Sequence, residues 1–140
     1  MNESGFWRKI RNGIKNPPDT HLVRIENAIY SGTPDLSYCI NGVEGFIELK
    51  YLEAWPKRES TVVRIPHFRG EQRIWLHDRH IAGGRCYLCL GIAKSTFIFD
   101  GLQAAMFLGK DWNKADIYSH SLLWWDGKVA WKNFKNRITK

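Results

Sequence analysis

The chain has 140 residues, 44% of them hydrophobic and 14% aromatic. That excludes a disordered protein and leaves room for one core but not two. Lysine and arginine number 21 against 14 acids, a net charge of +7, so a polyanionic partner is expected and an acidic binding patch is disfavoured.

No apolar run approaches the ~18 residues of a membrane span, and the charged segment at the N-terminus does not read as a signal peptide. The three cysteines (Cys39, Cys86, Cys89) are an odd number, which fits a reducing compartment. A cytoplasmic protein without a membrane partner is expected.

Residues 4–15 are predicted to form a helix, with Ser4 as N-cap and Phe6, Trp7, Ile10 and Ile14 at helical spacing. Asn16-Pro17-Pro18-Asp19 ends it. His21–Asn27 is a predicted strand, Ser31 to Pro34 a turn, and Asp35–Ile40 and Val43–Tyr51 two further strands. Residues 53–67 read as a surface loop. A second helix is expected over His67–Ala82, stopped by Gly83-Gly84. Strands at Arg85–Ile92 and Thr96–Phe99 follow, then a short helix, Leu102–Leu108, capped by Asp100. Short strands are predicted at Leu122–Trp125 and Val129–Trp131. The order helix, three strands, helix, strand points to a mixed α/β layer architecture.

Asn41-Gly42 between two strand-like runs is a strong hairpin signal, because a type I′ turn needs positive φ at both central residues. With that turn, Ile40 faces Val43, Ser37 faces Phe46 and Asp35 faces Glu48. Directly opposite residues have Cβ atoms about 4.5–5.5 Å apart. Two carboxylates are therefore set side by side, and Lys50 shares their face because strand side chains alternate. Leu36, Ile40, Val43, Ile47 and Leu49 form the other, apolar face. Opposed like charges destabilise a hairpin, and a hard divalent cation removes the conflict. The plain alternative is a solvated acidic pair neutralised by Lys50.

Gly32-Thr33-Pro34-Asp35 followed by Phe46-Ile47-Glu48-Leu49-Lys50 resembles the PD-(D/E)xK nuclease signature, closest to the VRR-NUC type and to small phage Holliday-junction resolvases. The resemblance covers about residues 1–92. It implies a restriction-endonuclease-like αβββαβ core, a central mixed sheet flanked by helices, with residues from about 93 to 140 as a C-terminal extension of one domain. It further implies that Asp35 and Glu48 ligate Mg²⁺, with Mn²⁺ able to substitute, and that the Leu49 carbonyl is a third ligand. Lys50 then orients the attacking water and stabilises developing phosphoryl charge. Family members carry another acid near the first helix. Glu26 is preferred for that role over Glu3, whose other reading is an acid favourable to the helix dipole.

On the second predicted helix, Gln72 interrupts the stripe of Phe68, Trp75, Leu76 and Arg79. Its two readings are a water-bonded rim residue and a phosphate contact. Arg64, Arg69 and Arg73 lie near enough in sequence to hold a phosphate backbone. The run from Lys128 to Lys140 has five basic residues and no acid. Trp131 and Phe134 within it are either a stacking platform for bases or core aromatics. Cys86 and Cys89 have zinc-like spacing but would point to opposite faces of a strand, so buried thiols are expected. His67, His77 and His80 are expected at the surface. The resemblance thus implies a phage-encoded, Mg²⁺-dependent DNA endonuclease, with branched DNA as a substrate by analogy. Cutting two strands symmetrically favours a homodimer. The alternative is a non-catalytic nucleic-acid-binding module on the same fold.

Overall fold

The computed structural model describes residues 1–16, 18–26 and 32–140. Pro17, Asn27 and Ser31, which enter the predicted helix stop, strand end and turn, lie outside the described residues. The first helix, α1, spans Glu3–Ile14. Asn2 rather than Ser4 is its N-cap: the Asn2 side-chain oxygen accepts from Gly5 N at 2.9 Å, which puts Ser4 inside the first turn. Strand β1 is Thr20–Arg24, shorter than predicted. Strands β2 (Leu36–Ile40) and β3 (Val43–Leu52) form the expected hairpin. Asn41 and Gly42 have φ of 49° and 81°, as a type I′ turn requires. The register is the one read from the turn: Ile40 pairs with Val43, Ser37 with Phe46 and Leu36 with Ile47.

Residues 53–69 hold no helix or strand, yet they are more than a surface loop, since Val63, Ile65 and Phe68 are buried in the core. Helix α2 spans Gly70–Ile81, starting three residues later than predicted. His67 sits in the left-handed region at φ 65°, which cannot begin a helix, and Arg69 becomes the N-cap. Strands β4 (Cys86–Ile92) and β5 (Ser95–Asp100) and helix α3 (Gly101–Phe107) follow. Asp100 caps α3, accepting from Leu102 N at 2.9 Å.

Among the described residues six strands make one sheet in chain order, closing with β6 (Leu123–Asp126), and of these only β3 and β4 run parallel. Parallel neighbours need a crossover, and α2 supplies it. Every residue of β4 is buried, as fits a strand covered on both faces. Alternation along it sends Cys86, Leu88, Leu90 and Ile92 to one core and Tyr87 and Cys89 to the other. α2, α3 and α4 (Lys114–His120) cover the first face. α1 and α5 (Trp131–Ile138) cover the second. The protein is a mixed α/β fold with a six-stranded mixed sheet flanked by helices. No helix among the described residues is long and apolar enough to cross a membrane.

The C-terminal segment differs from expectation. Val129–Trp131 is not a strand: Trp131 opens α5, and Phe134 and Ile138 from that helix are fully buried. A Cβ on Gly13 would lie 2.1 Å from the Trp131 ring, so α1 and α5 touch at a point where only glycine fits. Phe134 is therefore core, with Trp131 packed against that core while partly buried, and no stacking platform is formed by Phe134. Phe134→Ala is expected to destabilise the protein by about 3–5 kcal/mol, the usual cost of emptying a buried aromatic site. Urea unfolding followed by tryptophan fluorescence measures it; a change under 1 kcal/mol would contradict the buried packing.

Candidate metal and phosphodiester site

The hairpin turn sets a strict alternation, so Ser37, Phe46, Glu48 and Lys50 share the sheet face under α2, while Leu36, Ile47 and Leu49 face α1. Asp35 stands at the next position of the same register, one residue before β2. Backbone contacts hold it there. Its carbonyl accepts from Ile25 N at 2.8 Å. Its carboxylate reaches across to β3, where Oδ2 accepts from Leu49 N at 2.8 Å. Gly32 fixes the approach of this segment, because a Cβ there would lie 2.3 Å from the Glu71 carbonyl in the first turn of α2. The glycine of the Gly-Thr-Pro-Asp run thus lies in a turn, as read from the sequence, and is also a close-approach residue.

Glu48 is 1% exposed and Lys50 5%. Glu48 Oε1 accepts from Asp35 N at 3.3 Å. Oε2 lies 3.2 Å from Lys50 Nζ but has no aligned hydrogen-bond partner. Lys50 Nζ instead donates to the His67 carbonyl at 3.0 Å and sits 5.7 Å above the Phe68 ring. Burial pushes the Glu48 carboxyl up to about 8, the Asp35 charge and a proton shared with Asp35 push the same way, and Lys50 only partly opposes them. Without a cation, Glu48 therefore carries a proton at neutral pH.

A buried, orphaned carboxylate oxygen beside a second carboxylate is what a divalent cation would satisfy. A strand residue points its N–H and C=O to the same edge, so the Leu49 carbonyl looks toward Asp35, beyond the last residue of β3 that pairs with β2. Asp35, Glu48 and this carbonyl make a donor set of hard oxygens suited to Mg²⁺ or Mn²⁺. Among the described residues no group of three or more His, Cys, Asp or Glu side chains that could hold a metal ion comes together.

The remaining predicted residues are less central. Glu26 is exposed and follows Ile25, the backbone partner of Asp35. Glu3 is exposed in the first turn of α1. Neither makes a hydrogen bond or ion pair to Asp35, Glu48 or Lys50 among the described residues. Gln72 turns back on its own helix, its side-chain oxygen accepting from Arg69 N at 2.9 Å. Arg69 pairs with Glu71 at 2.9 Å. Arg73 donates to the Ala104 and Ala105 carbonyls near the end of α3 and stacks 4.1 Å from Phe68. Burial lowers its guanidinium from the ordinary value. Arg64 donates to the Gly109 carbonyl at 3.3 Å.

His67, expected only as a surface residue, contributes its backbone to the site. Pro66 before it and the buried Phe68 after it were the available signals for a shaped turn. Cys86 and Cys89 are free, buried thiols on opposite faces of β4, as strand alternation requires. Compared by sequence, the chain matches no protein-family model and no curated protein.

Proposed function

We propose that the protein is a divalent-metal-dependent DNA endonuclease of the PD-(D/E)xK type, built on a restriction-endonuclease-like core. One observation carries this reading: Glu48 is buried with an orphaned oxygen, beside Asp35 and Lys50, on one sheet face. The element order α1, β1, β2, β3, α2, β4 and the net charge of +7 support it. Asp35, Glu48 and the Leu49 carbonyl would hold Mg²⁺ or Mn²⁺. When bound, the metal supplies a water nucleophile and neutralises charge on the phosphoryl oxygens.

The chain's own groups do the rest. Lys50, anchored on the His67 carbonyl, holds a fixed positive charge beside the carboxylates and stabilises the developing phosphoryl charge. Its Nζ lies 3.2 Å from Glu48 Oε2 and is fixed by the His67 carbonyl, so its role is electrostatic rather than that of a general base. The 53–69 segment and α2 cover this face and limit water around Glu48.

Incubation of supercoiled plasmid and of a synthetic four-way junction with Mg²⁺, Mn²⁺ or EDTA tests the proposal. Cleavage with either metal and none in EDTA is expected. A folded protein that cuts neither substrate with either metal refutes the nuclease reading and leaves a non-catalytic nucleic-acid-binding module. Faster cutting of the junction than of linear duplex would assign branched DNA as substrate, and sedimentation with the junction reads whether a homodimer acts.

A further inference from the structure

Four arginines near α2 and the hairpin have committed side chains. Arg64 and Arg73 are turned to backbone carbonyls and Arg69 to Glu71. Arg85 donates to the Glu44 and Lys140 carbonyls. Arg79 is different. It is exposed and makes no side-chain hydrogen bond or ion pair among the described residues. Its guanidinium lies over two rings, 4.6 Å from the Trp75 centroid and 4.9 Å from that of Phe46. Those rings meet edge to face at 5.0 Å. The neighbouring Asp78 carboxylate is taken by His77 at 2.9 Å. Gly84 leaves room for the arginine stem, since a Cβ there would lie 2.4 Å from Arg79 Cδ.

The position is as informative as the stacking. Phe46 is two residues before Glu48 on the same face of β3, about 7 Å away along the strand. Grooves of about 620 and 560 Å³ flank Arg79, and the second continues past Ser37 and Phe46. Arg79 thus stands beside the face that carries Asp35 and Glu48. A planar guanidinium held against rings, with its N–H fork unspent, is preorganised for bidentate contact with a phosphate.

We propose that Arg79, held on Phe46 and Trp75, binds a backbone phosphate of the nucleic-acid strand next to the bond that is cut. The assignment of a bond to be cut rests on the nuclease reading of Asp35 and Glu48. The contact itself is binding rather than catalysis. Losing it raises KM and leaves kcat and the metal requirement unchanged.

The test is the affinity of fluorescein-labelled single-stranded and duplex DNA in EDTA, by anisotropy, for wild type, Arg79→Ala and Arg79→Lys. Melting temperatures establish that each variant is folded. Arg79→Ala is expected to weaken binding on the order of tenfold, the loss of one charge-assisted phosphate contact. Arg79→Lys should recover only part of it, because an ammonium on a flexible stem cannot form the fork. Phe46→Leu, which keeps an apolar side chain but removes a ring face, should weaken binding less than Arg79→Ala. Folded Arg79→Ala that binds as tightly as wild type overturns the proposal, even where wild type cuts DNA. Weakened binding by Arg79→Ala, in a wild type that cuts nothing, supports the phosphate contact and refutes the nuclease reading.

Discussion

Glu48→Gln and Asp35→Asn are each expected to lower metal-dependent cleavage by about a thousandfold or more, with the fold retained. Both changes keep shape and remove a charge. A metal held by two carboxylates loses one charged ligand, and several kcal/mol of charge stabilisation goes with it. About 4 kcal/mol is a factor of a thousand in rate. Residues acting on one metal are not additive, so the double variant should be little worse than either single one. Lys50→Met should lower kcat while leaving the metal concentration dependence nearly unchanged, because Lys50 contacts Glu48 rather than supplying a ligand. Single-turnover cleavage of a labelled duplex across a Mg²⁺ titration measures wild type and the four variants. Rates within tenfold of wild type for both carboxylate variants would sink the metal-site assignment.

The same substitution should act in the opposite direction on stability. The Glu48 carboxyl is raised from 4.5 to about 8 in the folded protein. Between those values the folded state holds a proton that the unfolded state has released. Stability in the absence of metal therefore falls as pH rises through this window, and stays low above it. The loss is a few kcal/mol. Glutamine cannot ionise, so Glu48→Gln should melt on the order of 10 °C above wild type near pH 9 and close to it near pH 5. Mg²⁺ or Mn²⁺ should raise the alkaline melting temperature of wild type and leave that of the variant unchanged, since the metal binds the ionised Glu48 carboxylate and compensates its buried charge. The difference between the two proteins isolates Glu48 from every other titrating group. Identical melting temperatures across the range would mean that Glu48 meets water in the folded state.

What the sequence made legible is what is local. The Asn41-Gly42 turn fixes a two-residue loop, and alternation then carries the register outward to Ser37 and Phe46 without knowledge of the rest of the chain. The opposite orientations of Cys86 and Cys89 follow from the same period of two. The predicted start of α2 comes too early because apolar spacing continues through Phe68, while the backbone at His67 is left-handed and its carbonyl accepts from Lys50. α4 carries the reciprocal Asn113 and Asp116 cap, a readable signal on a helix too short to show periodicity. In α5, Trp131, Phe134 and Ile138 have helical spacing, but the basic residues between them read equally well as a polar strand or tail. The partners of Arg64 and Arg73 lie on segments whose docking has no local signature. The free guanidinium of Arg79 is visible only once those partners are known.

The parallel pairing of β3 with β4 also sets the order in which the candidate site acquires its properties. Asp35 and Glu48 meet through a short hairpin that closes on its own chain neighbours. What buries them belongs to residues 53–85 and to β4, which can dock only after that whole segment has looped back. In the isolated hairpin the two carboxylates are wet and their repulsion is slight. The charge conflict at Glu48 is thus created by the crossover and not by the turn that brings the acids together.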